Sequence, residues 1–309
     1  TSAYSFISTA TSIVRLGARP VFVDIDRETF NLHVDAVAEV IESGLRRGWT
    51  ERLVGILPVH LFGASVGLDR VKRLAEAHEL FVVEDAAQAV GAAVSGFPSL
   101  RAGAVGDAGC LSFYPTKNLG GLGDGGMVVT SRPDVAQRLR SLRVHGAPGE
   151  PYRHEDVGIG SRLDALQAAA LSVKLRYVDQ WNAARRQIAE WYWDGFGSAD
   201  LLGDSSPSID LPRENGEAHV FHQYVIRAPG HRDELRAHLH DQGIATQVYY
   251  PIPLPLQPCL HHLGYREGDC PEAERASTET LALPMYPEMQ RSAVETIVQV
   301  VAEYYRTRR

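Results

Sequence analysis

The sequence predicts an α/β fold, with a larger lobe on a mostly parallel sheet followed by a smaller α/β lobe. Three observations predict it. Through about the first two thirds of the 309 residues, short apolar runs alternate with amphipathic helical stretches, the rhythm of parallel strands joined by helical crossovers. A chain of 309 residues exceeds the roughly 250 to 300 residues at which a single core stops growing. Residues 200–216, with Gly203, Pro207, Pro212 and Gly216, read as a loop, and a strand pattern resumes at 221–226.

The expected strands are 20–24, 53–58, 80–84, 110–113 and 127–130. Between the second and third lies a helix over 68–78, in which Leu68, Val71, Leu74 and Ala75 share one face. This unit places Asp85 just beyond the carboxyl end of a strand, where open α/β sheets bind ligands. From Ser161, read as a cap, one long helical pattern runs through Leu163, Leu166, Ala170, Val173, Tyr177 and Trp181 to the aromatic cluster Trp191, Tyr192 and Trp193. It reads as a connector between lobes. A helix over 232–242 and a last helix from about Arg291 fill the second lobe. The expected division is therefore 1–198 for the large domain with its connecting helix, and 199–309 for the small one.

Composition narrows the function classes. The apolar fraction is 44% and no apolar run approaches the length of a bilayer span. A formal charge of -7 without a long basic stretch argues against nucleic acid. The three cysteines, Cys110, Cys259 and Cys270, make no disulfide framework and no secretory signal precedes them, so a reducing cytoplasm is the expected compartment. Cys259, His261, His262 and Cys270 match no standard zinc spacing, and no metal site is expected.

Of 31 basic residues only Lys72, Lys117 and Lys174 are lysine. Lys72 and Lys174 sit in helical stretches and read as solvated. Lys117 lies in LSFYPTKNLGGLGDGG over 111–126, which sets a hydroxyl, a lone lysine and five glycines beside a strand end. A lysine condenses with an aldehyde only as the free amine, so a reactive one needs an environment that lowers its pKa, and glycines let backbone approach a cofactor closely. The bland alternative is a solvent-facing loop lysine. Gly121, Gly123 and Gly126 form a dinucleotide-like pattern, but it leads into a strand instead of opening a helix, and no phosphate-loop sequence is present.

In VEDAAQA over 83–89, a strand end delivers Asp85 and, three residues on, Gln88. A carboxylate beside a pyridine nitrogen keeps that nitrogen protonated. Asp85 as a turn cap and Gln88 as a backbone partner are the plain alternatives.

Together these segments resemble the DegT/DnrJ/EryC1/StrS sugar aminotransferases, a family of fold-type-I pyridoxal-phosphate enzymes. The resemblance covers nearly the whole chain, in order: YSFISTA (4–10), GARPVFVDID (17–26), PVHLFG (58–63), EDAAQA (84–89), SFYPTKN (112–118), GDGG (123–126), SRLDALQA (161–168) and YPIPL (250–254). It implies a three-layer large domain with a mixed, mostly parallel sheet and a smaller C-terminal α/β domain. It further implies that Lys117 forms the Schiff base with pyridoxal 5'-phosphate, Asp85 pairs with the ring nitrogen, Gln88 contacts the ring hydroxyl, Ser112 binds the phosphate and Phe6 stacks on the ring. By periodicity alone Phe6 reads as a buried core residue.

Three departures accompany the resemblance. The family has a further segment before Tyr4, with a Gly-Thr helix start that holds the phosphate, so an upstream segment is expected to be missing here. Gly160 stands where relatives carry an Asn that reaches a neighbouring subunit's phosphate. Val90, Tyr249 and Pro255 stand where many relatives have His. His60, Tyr249 and Arg162 are the substrate-side candidates. His154 beside Arg153 is a lesser one, and His219 and His222 read as outward residues of a strand.

The resemblance implies an aminotransferase that moves an amino group from an amino acid, most simply L-glutamate, to a keto group of a nucleotide-linked sugar, in a homodimer with its site between subunits. The alternatives are a cyclitol aminotransferase and a catalytically impaired structural or regulatory homologue. A nucleotide-sugar dehydrogenase ranks third, because no dinucleotide motif stands in its required context. Lys117 argues against the dehydratase relatives, which carry His there.

Overall fold

The computed structural model describes residues 1–47, 53–150, 152–202, 208–213 and 215–308. Its elements run α1 (Ser8–Arg15), α2 (Val34–Arg47), β1 (Gly55–Ile56), α3 (Leu68–Ala77), β2 (Phe81–Asp85), β3 (Ala108–Ser112), β4 (Gly126–Val129), α4 (Pro133–Leu142), α5 (Ala165–Lys174), α6 (Val178–Ser198), β5 (Tyr224–Arg227), α7 (Arg232–Asp241), α8 (Pro271–Glu279), β6 (Thr280–Leu283) and α9 (Arg291–Arg306).

A four-stranded sheet has the order β1-β2-β3-β4, with the first two pairings parallel and β3–β4 antiparallel. The mixed, mostly parallel sheet of the α/β reading is present. Helix α3 packs Leu68, Val71 and Ala75 with Val82 of β2 and Ile56 of β1, the face its apolar spacing marks. A second, two-stranded antiparallel sheet pairs β5 with β6. All eight positions of this pair are buried, beneath Tyr192 and Phe196 of α6 and Val301 and Tyr305 of α9.

Two expectations change. Residues 20–24 do not form a named strand: Val23 bridges Ser2 and Ile25 bridges Leu32. Pairing there stops after the first residues of the chain, through Val21, Val23, Thr1 and Ala3, and Pro20 has no N–H to extend it. The single helix expected from Ser161 is two helices, α5 and α6, separated by a tight turn over Leu175–Tyr177. Asp164, in extended conformation, precedes α5, while the Ser161 N–H bonds back to Arg143 O. Helix α6 packs Ile188, Ala189, Tyr192 and Phe196 in the cluster that contains β5, β6, α7 and α9. Gly203 and Pro207 of the expected loop lie outside the described residues.

A further cluster joins the start of the chain to its last third. Ala3, Tyr4 and Ala10 pack with Phe62, Val225, Leu254, Leu260, Ala273 and Ala276. This packing brings the Tyr4–Ala10 stretch against the Tyr249–Tyr250 segment. Among the described residues no helix is long and apolar enough to cross a membrane.

Candidate active site

Parallel pairing of β2 with β3 sets Asp85 opposite Cys110, two residues before Ser112, and β4 closes the other side with Gly126 opposite Ser112. The carboxyl ends of two strands therefore converge on one place. Asp85 is itself the last residue of β2. Its Oδ2 accepts from Thr9 Oγ1 at 2.7 Å and its Oδ1 accepts from the Ala87 N–H at 3.2 Å. Burial and the Asp85 charge push the Cys110 thiol up to about 11, so it stays an inert neutral neighbour.

After β3 the chain turns through Tyr114–Lys117, where the Lys117 N–H bonds Tyr114 O at 2.9 Å. Lys117 is half-buried. Burial holds its amine below the usual lysine value, and the attraction of Asp85 opposes that shift without cancelling it. This is the environment a nucleophilic amine requires. The glycine loop is held from two sides. Leu122 N–H donates to Gln167 Oε1 at 2.7 Å, and Lys174 Nζ of α5 donates to Gly120 O, so Lys174 is a loop tether and not the solvated residue the sequence suggests. A Cβ at Gly120 would fall 2.2 Å from Pro115 O, and one at Gly121 2.8 Å from Gln167 Oε1. Lys72 pairs with Glu76 at 3.7 Å.

Gln88 is buried with a fixed amide orientation. Its Oε1 accepts from the Phe62 N–H at 2.6 Å and its Nε2 donates to Tyr250 OH at 3.1 Å. One amide hydrogen remains for a further acceptor. Tyr250, which sequence reasoning did not single out as a site residue, has its ring centroid 6.1 Å from that of Phe6 and 6.1 Å from that of Tyr4. Phe6 is 54% exposed; the core role suggested by periodicity fails, and the ring stands open beside Tyr250. The neighbouring Tyr249 is half-buried, and its carbonyl accepts from Tyr4 OH at 2.6 Å, while the Tyr250 N–H donates to that same hydroxyl at 2.7 Å. The only sequence signal for this convergence is the YPIPL segment; the Tyr4 contact spans 245 residues and leaves no local trace.

Ser112 is half-buried, and its Oγ accepts from the Tyr114 N–H at 3.3 Å, which leaves its hydroxyl proton to donate. Behind Lys117, Asn118 is buried and fully committed. Its Nδ2 donates to Asn182 Oδ1 and Val220 O, and its Oδ1 takes His222 Nδ1 at 3.2 Å. His222 and His219 are both buried, contrary to the outward placement expected, because residues 219–222 pass under α6 instead of continuing β5. Burial, then the nearby Lys117 and Arg185 charges, holds His222 well below its usual value, and burial pushes His219 down to about 3. Arg185, also unforeseen, is buried on α6 and donates to the carbonyls of Phe221, His222 and Met285.

The structure does not bring His60 to the cleft. It is fully buried, its Nδ1 accepts from the Val66 N–H at 3.1 Å, and its Nε2 therefore carries the proton that meets Glu84 Oε2 at 2.9 Å. Both nitrogens are spent on the fold. Burial pushes the Glu84 carboxyl up, but hydrogen bonds from His60 and from the Gly106 and Gly103 N–H groups outweigh it and leave Glu84 below the usual carboxylate range. Arg162 is exposed in the segment before α5, away from any acid partner among the described residues. His154 is exposed and donates from Nδ1 to His145 O at 2.9 Å, while Arg153 pairs with Glu150 and Glu155. Among the described residues no group of three or more His, Cys, Asp or Glu could hold a metal ion.

The donor set fits pyridoxal phosphate. It has a lysine with a lowered pKa in the field of a fixed carboxylate, an amide with one hydrogen to spare bonded to Tyr250, an exposed aromatic ring 6.1 Å from the same Tyr250, and a hydroxyl at the end of β3 ahead of the glycine loop. The sequence profile of the DegT/DnrJ/EryC1/StrS aminotransferase family matches residues 1–302. A "Pleiotropic regulatory protein" of Geobacillus stearothermophilus is 47% identical over 307 residues, covering 99% of this chain and 78% of that one. A UDP-N-acetyl-3-dehydro-alpha-D-glucosamine 3-aminotransferase of Acidithiobacillus ferrooxidans is 38% identical over 298 residues, covering 96% and 75%. The crystal structure of S. venezuelae DesV in complex with a ketimine intermediate superposes with a TM-score of 0.88 at 37% identity, covering 98% of this chain and 77% of that one.

Proposed function

The chain belongs to the DegT/DnrJ/EryC1/StrS aminotransferase family, whose enzymes depend on pyridoxal phosphate, and on that premise we propose that it transfers an amino group from L-glutamate to a keto group of a nucleotide-linked sugar. The observation that carries this reading is Lys117, a half-buried amine held below its usual pKa at the convergence of two strand ends. Relatives named as sugar aminotransferases at 34% to 39% identity support the substrate class; the amino donor rests on the family resemblance.

Bound pyridoxal phosphate supplies an electron sink for the carbanion formed when the donor loses its α-proton. The residues of the chain do the rest. Lys117 Nζ, as the free amine that burial favours, would be the residue that holds the cofactor through its aldehyde and that carries the proton between the donor's α-carbon and the cofactor. The Asp85 carboxylate would hold a proton on the ring nitrogen, the spare Gln88 N–H would be free for the ring hydroxyl, Ser112 Oγ would donate to the phosphate and Phe6 would stack against the ring. Tyr249 and Arg162 are our substrate-side candidates.

We place the division between domains at 198/199, with α6 as the linking helix, and we propose a homodimer with the site between subunits. The exposed Val157, Ile159, Leu166, Val173 and Leu175 support an association surface. Three free cysteines suit a reducing cytoplasm, the compartment we propose.

The test is direct. Protein titrated with pyridoxal phosphate should gain a visible absorption band that glutamate bleaches, and a panel of keto-sugar nucleotides should then release 2-oxoglutarate catalytically. Absence of any band and of any change with glutamate rejects the reading. The regulatory name of the 47% identical relative favours one second reading, a protein that binds the cofactor without turnover; a band with no 2-oxoglutarate release across the panel would select it.

A further inference from the structure

Asp85 is held by side chains that belong to none of the site positions inferred above. Thr9 lies in the first turn of α1 and is buried, and its Oγ1 donates to Asp85 Oδ2 at 2.7 Å across 76 residues of sequence. A helical threonine more often returns its hydroxyl to a carbonyl of its own helix. Ser5, also buried, lies 3.0 Å from Thr9 through its Oγ. Thr9 has one hydroxyl proton and an ionised carboxylate has none, so Thr9 donates to Asp85 and Ser5 donates to Thr9. The three groups form a one-way chain of hydrogen bonds, each polarising the next.

We propose that the Ser5–Thr9 hydroxyl relay is a positioning device that keeps Asp85 aimed at the cofactor ring nitrogen and away from Lys117. This rests on the aminotransferase reading. Asp85 has two possible cationic partners, the protonated ring nitrogen and the Lys117 ammonium, whose proton it stabilises. If the carboxylate turned to Lys117, it would hold the amine in the protonated form that cannot attack and abandon the ring it has to polarise. With Oδ2 fixed by Thr9 and Oδ1 by the Ala87 N–H, rotation about the Cβ–Cγ bond breaks two hydrogen bonds, both of them charge-assisted. The relay thus chooses between the two partners.

The test uses Thr9→Val, which keeps the shape and removes the hydroxyl, Thr9→Ser, which restores it, and Ser5→Ala. Each apoprotein is titrated with pyridoxal phosphate, and the pH midpoint of the visible band is recorded beside the dissociation constant. Loss of a hydrogen bond to a charged group should weaken cofactor binding in Thr9→Val about tenfold and move the midpoint upward as Asp85 raises the proton affinity of Lys117. Thr9→Ser should stay within about twofold of wild type, and Ser5→Ala should fall between, since it loses only the polarising bond. An unchanged affinity and midpoint in Thr9→Val, or a Thr9→Ser that behaves like Thr9→Val, overturns the proposal. If Thr9→Val does not fold, Ser5→Ala decides alone, and an unmoved midpoint in it is the overturning result. A wild-type protein without a band rejects the aminotransferase reading and this one with it; a wild-type band with unchanged variants rejects only this one.

Discussion

The ends of β2 and β3, where the proposed site lies, and the surface of residues 152–175, where we propose association, are built in opposite ways. At the strand ends each functional group is already held: Asp85 by Thr9 and Ala87, Gln88 by Phe62 and Tyr250, and Asn118 by Asn182, Val220 and His222. Along 152–175, although Gln167 and Lys174 hold the glycine loop, several large apolar side chains stand uncovered. Tyr152 is 96% exposed, Leu166 84% and Ile159 68%, with Arg162 among them. Preorganised polar groups cost stability that the fold must offset elsewhere, whereas exposed apolar groups in numbers mark a surface awaiting a partner. The first region has polar groups set to meet a small molecule, and the second has the apolar surface that the proposed second copy would cover.

The largest effect should come from the centre of the first region. Lys117→Met should lower transamination by at least about a thousandfold, because the proton carrier is removed. The same variant, as apoprotein, should be more stable than wild type. A lysine whose folded pKa lies below its unfolded one costs stability wherever both states hold the proton, and the cost fades as pH rises toward 10.5. Denaturant titrations of both proteins at several pH values check this; a stability gain that fails to shrink with rising pH would mean that Lys117 is not strained by burial.

Next in size is the acid limb of stability, which tests how tightly the wall behind Lys117 is closed. His219 is pushed down to about 3 and His222 well below 6.5. Below the unfolded value the unfolded chain takes up protons that the native state refuses, so stability falls as pH drops. At a pH of about 5 the loss should be roughly 2 kcal/mol for His219 alone, at about 1.4 kcal/mol per pH unit. His219→Asn, whose amide oxygen can still accept from the Phe221 N–H, should flatten the limb; an equally steep limb in that variant would place the acid sensitivity elsewhere.

How much of this was legible in sequence follows from range. Asp85, Gln88 and Lys117 lie at strand ends with short local signatures, and the alternation of apolar runs with helices marked four of the five expected strands. His60 misled because a histidine before a turn looks the same whether it faces a cleft or a buried acid; its partner Glu84 sits one residue from Asp85 and, by strand alternation, on the opposite face. Thr9, Tyr4, Tyr250 and Arg185 act over tens to hundreds of residues of separation, and no local pattern encodes such contacts. The exposure of Phe6 likewise depends on what packs around it in three dimensions.

A smaller effect should separate holding from chemistry within the first region. Gln88→Glu keeps the oxygen that takes the Phe62 N–H but loses the amide hydrogens, so donation to a ring hydroxyl goes, while the Tyr250 hydroxyl can turn to donate to the new carboxylate. Cofactor affinity should drop about tenfold, with the fold little disturbed, as for one hydrogen bond of about 1.4 kcal/mol. Equilibrium dialysis against pyridoxal phosphate and a thermal melt of the apoprotein read the two quantities separately. A large fall in melting temperature with unchanged affinity would make Gln88 a structural residue only.

The smallest effect on the folded chain belongs to the second region, and it is where the contrast is most easily broken. Leu166→Glu changes a side chain that is 84% exposed, so the stability of the isolated chain should move by less than about 0.5 kcal/mol. If residues 152–175 are covered by a second copy, the same substitution places a carboxylate in an apolar interface, where desolvation without a partner is costly. Light scattering should then show a dimer in wild type at concentrations where Leu166→Glu is a monomer, and melting of the wild type alone should depend on protein concentration. A wild type that stays monomeric, or a variant that associates as well as wild type, would move the association surface elsewhere and leave the exposed side chains of α5 without a role in completing the site.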